Sequence, residues 1–397
     1  MTDTTDVFIS GGGIAGLIAA AAFSDLGFSV VLADPTPPPQ SADAEGSDLR
    51  STAYLKPACD LLNRIGVWSD LAPSATPLER LRVIDSAGTP PAAQTTRSFE
   101  ASDLGEPAFG WNLPNWLTRK LLAEKLAAAG NVDLRFGNGF ADILTREREA
   151  IVTLTDGGRL RARLAVAADG RASPLRDAKG IGVETTRYGQ KALAFVVTHA
   201  VPHDNVSTEI YLSGGAFTLV PLADHDGQPA SAVVWMNDGR RAAELASMDA
   251  EAFSDAATER STGVLGRLSL VTQRRSWPVV TQRATALVAE RTVILAEAAH
   301  VLPPIGAQGL NTSLHDVASL VNLAAARPDG LGDQTLLTAY AKARATDIHA
   351  RAKAIDLFNR VCRSHNPSVQ ALRGLGLKLV HDVAPLRKGV MRAGMGG

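Results

Sequence analysis

The chain has 397 residues with 40 basic and 41 acidic side chains, a formal net charge of −1. That balance leaves no electrostatic footprint for nucleic acid. Hydrophobic residues at 45% and charged residues at 20% describe a globular chain able to bury a large core in two or three domains. Aromatics at 5% leave little for base stacking, and two cysteines, Cys59 and Cys362, exclude a disulfide framework or a cysteine-rich metal site. Residues 1–6 lack the basic region of a signal peptide, and no stretch approaches the ~20 uninterrupted apolar residues of a membrane span. Reduced thiols suit the cytoplasm.

Val7–Ser10 reads as a short apolar strand. Gly11, Gly13 and Gly16 then satisfy G-x-G-x-x-G, before a small-residue helix from Leu17 to Leu26 and a second strand, Phe28–Ala33, ending on Asp34. This is a complete dinucleotide-binding βαβ unit. The glycines let a pyrophosphate approach a helix N-terminus, and the acid takes a ribose hydroxyl. The unit serves FAD and NAD alike. Pro35–Ser47 is a proline-rich, acidic surface loop. Arg50 follows it, and on residue type alone is as readily a solvated arginine as a ligand contact. A helix is expected from Ala53 to Gly66, and Leu81–Asp85 reads as a strand leaving the nucleotide-binding region. Trp111–Leu117 leads into a helix over Leu121–Ala129.

Val132–Phe136, Ile151–Thr155 and Leu160–Ala167 read as strands, the last delivering Asp169 and Gly170 to a turn before a helix start. Ala192–Val201, Val206–Leu212, Phe217–Leu222 and Ala230–Met236 read as a separate antiparallel sheet. Met248–Ser261 reads as a polar-faced helix, and Trp277–Val279 as the return to the first region.

The densest stretch is Arg291–Leu320. Thr292–Leu295 is a strand buried on both faces, with Glu297 at its carboxyl end. Pro303, Pro304, Gly306, Ala307, Gln308 and Gly309 follow, a segment whose backbone can press against a flat ligand. Asn311 or Thr312 is placed to cap a helix running through Leu314, Val317, Leu320 and Val321. A buried strand delivers an acid, and a helix aims its positive end at the same place. That suits a ligand with hydroxyls and developing negative charge. The remainder, 336–397, is helical. Residues 363–392 hold six basic side chains against Asp382, interleaved with Leu372, Leu375, Leu377, Leu379 and Val380. The pattern fits contact with an anionic membrane surface as well as a solvated basic face.

Ala298, Ala299, His300, Pro304, Gln308, Gly309, Asn311 and Asp316 resemble the second FAD motif of the aromatic-ring flavoprotein monooxygenases. The resemblance is strongest to the ubiquinone-biosynthesis hydroxylases, whose pattern is close to G-D-A-A-H-x-x-x-P-x-x-G-Q-G-x-N-x-x-x-x-D. The chain departs at Ala296 for Gly, at Glu297 for Asp, and at Gly306-Ala307 for Ala-Gly. Ala168–Arg176 resembles the family's A-D-G-x-x-S-x-x-R motif without a break.

The resemblance implies an α/β fold with a Rossmann-like FAD-binding domain over 1–75, 105–185 and 278–335. It implies an inserted antiparallel β-sheet substrate domain over 76–104 and 186–277, and a C-terminal helical region over 336–397. FAD would be held by Gly11, Gly13, Gly16, Asp34, Arg50, Asn115, Asp169, Gly170, Glu297, Pro304, Gly309, Leu310 and Asn311. NAD(P)H would visit without a site of its own. The implied reaction is hydroxylation of a polyprenylated phenol with O2, through a flavin C4a-hydroperoxide, in ubiquinone biosynthesis, with no protein nucleophile and no metal. The implied location is the cytoplasm, with peripheral contact at the inner membrane through 363–392. Two other readings share these residues: a hydroxylase of a soluble aromatic, and a weakly flavinated, non-catalytic partner in a ubiquinone-synthesis complex. If position 296 or 307 needs positive φ, alanine there costs about 1–2 kcal/mol relative to glycine, which predicts loosely held FAD.

Overall fold

A computed structural model describes residues 3–42 and 44–395. Met1, Thr2, Asp43, Gly396 and Gly397, which belong to stretches assigned above, lie outside the described residues. Five strands form a parallel ladder in the order Thr292–Ile294, Arg159–Ala167, Asp3–Ser10, Val30–Asp34 and Val132–Phe136. The inner strands are near-continuous runs of Val, Ile, Leu, Phe and Ala because helices and loops cover both faces; Val7, Phe8, Ile9, Leu164 and Val293 are all fully buried. Ser10 lies beside Ala167, and Ala167 beside Ile294. The three chain segments that leave these strands therefore start from one edge of the sheet.

Helix Ile14–Asp25 packs on this sheet between helices Asn115–Ala127 and Gln308–Ala326. Its small residues permit the close approach. At Gly16 an added Cβ would stand 2.0 Å from the Gly11 carbonyl oxygen.

The second sheet runs in the order His300–Val301, Arg275–Ala284, Val183–His199, Gln228–Asp238, Gly215–His225, Val206–Leu212, Arg80–Ala87, Ala92–Glu100. Neighbours are antiparallel except Val206–Leu212 with Arg80–Ala87, which run parallel. One face packs Phe217 edge-on to Trp235 and Phe195 edge-on to Phe253 of a covering helix, with Trp235 and Phe253 tilted at 51°. The other packs Val83, Phe99, Tyr211 and Val279 against the C-terminal helices.

Three elements differ from the sequence reading. Ser51–Leu55 is a strand, and the helix starts at Lys56 rather than Ala53. Thr52 and Tyr54, both good strand residues, pair with Leu113 and Trp111. The next helix starts at Asn115, not Leu121. The helix expected over Met248–Ser261 is present as Ala250–Arg260, with Asp249 accepting from the Ala252 N–H, but it is preceded by a further helix, Gly239–Ser247, that the sequence reading did not include. The tail forms helices Gln334–Arg363, Pro367–Asp382 and Ala384–Met395.

The Gly16 contact yields a stability prediction. Because the obstacle is a backbone oxygen, Gly16→Ala is expected to lower unfolding free energy by about 3 kcal/mol, the upper end of ordinary overpacking. Urea denaturation checks it; an unchanged midpoint would contradict the packing described.

Candidate active site

A cavity of about 1810 Å³ opens at the carboxyl edge of the parallel strands and extends beneath the second sheet to the C-terminal helices. Gly11, Gly13, Asp34, Arg50, Asn115, Asp169, Gly170, Glu297, Pro304, Gly309 and Leu310 all line it. Of the residues expected to hold a cofactor, Gly16 and Asn311 alone lie behind this surface.

The first strand ends on Ser10, whose hydroxyl donates to Asp169 Oδ2 at 2.9 Å, while the Leu175 N–H donates to the same oxygen at 3.2 Å. Asp169 Oδ1 is buried with no partner. Burial pushes this carboxyl's pKa up, against hydrogen bonds from Ser173, Leu175 and Ser10. A buried acceptor left unmatched calls for a donor from a ligand. Beside it, helix Ile14–Asp25 starts without a side-chain cap. A Cβ on Gly13, its N-cap residue, would meet nothing within 4 Å. Free N–H groups facing open space suit a phosphate.

Asp34 accepts from the Gly12 N–H at 2.6 Å and the Thr36 N–H at 2.7 Å. Arg119, absent from the sequence-derived set, lies 3.6 Å from Asp34 Oδ1 and donates from Nε to the Gly12 carbonyl at 2.7 Å. It stands four residues after Asn115, on the same helix face, a relation visible once the helix begins at Asn115. Asp48 was also missed. Its carboxylate takes both Arg50 Nε and Nη2 at 2.8 Å. Asn115 Nδ2 donates to Asp48 at 2.9 Å, and the Thr52 hydroxyl donates to Asn115 Oδ1 at 2.7 Å. The Arg50 guanidinium lies 5.3 Å from the Trp277 ring centroid. These residues form a polar wall of fixed geometry.

The facing wall is the turn Ala296–Ala298, the loop to Ala307, and helix Gln308–Ala326. Glu297 is exposed into the cavity. Ala296 has φ +56° and Ala307 φ +55°, so both alanines at the positions of family glycines are left-handed. Ala296 is held by Asp316. Its N–H donates to Asp316 Oδ2 at 3.0 Å, His300 Nε2 lies 2.7 Å from that oxygen, and Arg344 Nε donates to Oδ1 at 2.7 Å. Burial alone would raise the Asp316 pKa; the His300 ring and the Arg344 guanidinium outweigh it and hold the carboxyl below its usual range.

The expected cap of the last helix needs correction. Ala307 is the N-cap residue and offers no side-chain hydrogen bond. Asn311 lies inside the first turn, and Thr312 is likewise helical and buried. The Asn311 side chain accepts from the Leu55 N–H at 2.9 Å and donates to the Ala53 and Ala307 carbonyls at 2.7 Å each. It ties the strand Ser51–Leu55 to the helix start, and both of its amide hydrogens are spent within the protein. The Gln308 N–H donates to the Ile305 carbonyl at 3.4 Å, and the N–H groups of Gly309 and Leu310 at this helix start suit a partial negative charge.

Neither thiol is placed for nucleophilic work. Both are buried, and burial pushes Cys59 up to about 12. Among the described residues no three or more His, Cys, Asp or Glu side chains gather to hold a metal.

Three substitutions test this geometry. Gly13→Ala should leave unfolding free energy within about 0.5 kcal/mol, since the methyl meets only open space, yet lower FAD occupancy measured by flavin absorbance. Ala307→Gly removes about 1–2 kcal/mol of left-handed strain, while a freer unfolded chain takes back about 0.4–1 kcal/mol; a net gain near 1 kcal/mol and tighter FAD retention on dialysis are expected. Asp316→Asn replaces the buried carboxylate that Arg344 and His300 share by a neutral amide, leaving Arg344 only Asp347 as its anion, and should lower stability by about 1.5–3 kcal/mol. The wild-type contribution of Asp316 should fade in acid, as pH falls below the carboxyl's unfolded pKa and through its depressed folded value.

Residues 4–354 match the family model described as FAD binding domain. The ubiquinone hydroxylase UbiL of Rhodospirillum rubrum is 32% identical over 395 residues, covering 98% of this chain and 89% of that protein. The 3-demethoxyubiquinol 3-hydroxylase of Escherichia coli is 25% identical, over 99% of this chain and 98% of that one. Among solved structures, p-nitrophenol 4-monooxygenase PnpA of Pseudomonas putida has a TM-score of 0.81 at 17% identity, covering 100% of this chain and 99% of that chain, a likeness of fold. By sequence and by fold, then, the chain belongs to the FAD-dependent monooxygenases, within the family of the ubiquinone-biosynthesis hydroxylases.

Proposed function

We propose that this monooxygenase hydroxylates the aromatic ring of a polyprenylated phenol in ubiquinone biosynthesis, with NAD(P)H as reductant. The carrying observation is a single cavity that joins a dinucleotide cradle to an apolar arm lined by Leu81, Val83, Phe99, Val234 and Phe358. Its volume of about 1810 Å³ exceeds the ~300–1,000 Å³ of an ordinary small-ligand pocket. That leaves room for a prenylated ring beside a bound dinucleotide, and favours this reading over a small soluble aromatic.

FAD, when bound, supplies the activation of O2 and the transfer of one oxygen atom. The chain's residues bind, orient and dry the site. Gly13 and the start of helix Ile14–Asp25 would take the pyrophosphate, and Asp34 a ribose hydroxyl. Asp169 Oδ1 and Glu297 would accept ribityl hydroxyls. The N–H groups of Gly309 and Leu310 would stabilise negative charge on the ring's carbonyl edge. The apolar arm excludes water, which limits wasteful release of peroxide.

The same reading gives the tail a role. Leu375 and Leu379 are 64% and 57% exposed on helix Pro367–Asp382, which also carries Lys378, and the helix after it carries Lys388 and Arg392. No helix among the described residues is long and apolar enough to cross a membrane. A peripheral seat on an anionic bilayer would bring the cavity mouth to a lipid-borne substrate.

The reaction is tested with FAD-loaded protein, a 2-polyprenylphenol in detergent, NADH or NADPH, and isotopically labelled O2. Expected is a diphenol carrying the label. Cofactor oxidation that yields peroxide and no diphenol would overturn the proposal in favour of a non-catalytic partner. Flotation with anionic vesicles tests the tail: the double change Leu375→Ser, Leu379→Ser should reduce co-flotation severalfold while flavin content holds.

A further inference from the structure

One pair of polar side chains in the apolar arm has no part in the arrangement above. Glu209 and Tyr211 stand two apart on the strand Val206–Leu212, so they share a face. Both line the cavity, at 9% and 3% exposure. The Tyr211 hydroxyl donates to Glu209 Oε2. The Gly306 N–H also reaches this carboxyl. Gly306 lies two residues before the helix that starts at Gln308, so the carboxyl sits where the arm meets the wall facing the flavin.

A carboxyl buried in such an arm is unfavourable unless it meets a charge or a donor. The nearby cation does not supply one: Arg373 donates from Nε to Asp85 Oδ1 at 2.7 Å and from Nη1 to the Cys362 carbonyl at 3.1 Å. On the arm side Phe358 packs edge-on to the Tyr211 ring at 5.5 Å, and Val83 lies beside Glu209 in register. Packing alone would be served by an apolar residue at 209. A polar pair kept in an apolar arm, next to the redox wall, is placed to meet the one polar group of a prenylated phenol.

We propose that Glu209, braced by Tyr211, receives the substrate's phenol hydroxyl, takes its proton, and by fixing that oxygen sets which ring carbon faces the flavin. This rests on the phenol reading above. The step is a proton transfer. The phenol O–H bond breaks, the proton passes to a Glu209 carboxylate oxygen, and the electron pair stays on the phenolate oxygen and enriches the ring. The carboxyl gives the proton back to the oxygen atom of O2 that leaves as water. Burial holds the Glu209 pKa above its ordinary value, against hydrogen bonds from Tyr211 and Gly306, which makes its carboxylate a stronger base. The other titratable groups facing the pair are Asp85, Arg373 and Cys362.

The test uses oxidised, FAD-loaded protein without reductant and a 4-nitrophenol bearing a prenyl chain ortho to its hydroxyl, whose ionised form absorbs in the visible. The wild type should bind it as the phenolate at pH values where the free probe is largely protonated. This ionisation should be lost as pH falls through the raised pKa of Glu209. Glu209→Gln should bind it un-ionised and at least about tenfold more weakly, and in turnover should scatter oxygen over more than one ring position. Tyr211→Phe keeps the carboxyl, guards against a folding defect in the first variant, and should shift the pH of ionisation without abolishing it. Ionisation in Glu209→Gln equal to wild type, or a Tyr211→Phe pH profile identical to wild type, overturns the role of the pair while leaving the phenol reading standing. Failure of the wild-type holoenzyme to bind the probe overturns both.

Discussion

The Asp316 carboxylate is the constraint from which the cavity wall at Ala296–Leu310 follows. A left-handed alanine does not persist through its own preference; the surroundings must over-determine it. Asp316 does so by taking the Ala296 N–H on one oxygen, which it shares with His300, and the Arg344 guanidinium on the other. Such a buried ion pair is weak evidence for net stability, since desolvation offsets most of its attraction. Its consequence is geometric. With Ala296 fixed, Glu297 points into the cavity while Ala298 and Ala299 remain buried. Arg344 passes the constraint on through Asp347 to Arg351, and Arg351 donates to Gln308 Oε1 at 3.1 Å. The turn bearing the acid and the helix start across the cavity are thus parts of one polar network.

Strand register does the rest of the assembly. Ser10, Ala167 and Ile294 are side by side in adjacent parallel strands, so the segments holding Gly13, Asp169 and Glu297 leave the sheet together. No long-range side-chain contact is needed to converge them; the backbone ladder suffices.

What was legible in the sequence was whatever a single strand, turn and helix encode. The G-x-G-x-x-G unit, the Asp169-Gly170 turn and the Glu297 loop are local, and their residues line one cavity. What was not legible depends on partners far along the chain. Ser51–Leu55 is a strand because Gly110–Pro114 lies beside it, and without that pairing Ala53 reads as a helix start. Asn311 looked like a cap because its type favours caps; its real partners, Leu55 and Ala53, lie more than 250 positions away. Arg119 and Asp48 became visible as site residues after the helix start and the loop path were known. Glu209 carries no motif at all, and its interest comes from burial in an apolar arm. The identities of Ala296 and Ala307 were plain, but the sign of φ at each came from the fold.

The C-terminal helices complete the physical account. Helix Pro367–Asp382 is apolar on two sides, which an ordinary surface helix is not. Val369, Leu377 and Val380 line the cavity, while Leu375 and Leu379 project from the opposite side. An apolar face is stable in water only when something covers it. The cavity wall accounts for the inner face, and nothing among the described residues covers the outer one. The last helix also returns to the active site: Gln308 Nε2 donates to the Gly394 carbonyl at 2.8 Å. Gln308 opens the helix whose N–H groups face the cavity. The last helix, which contributes Val390 and Met391 to the cavity lining, is therefore one hydrogen bond from the residue that opens the helix across it.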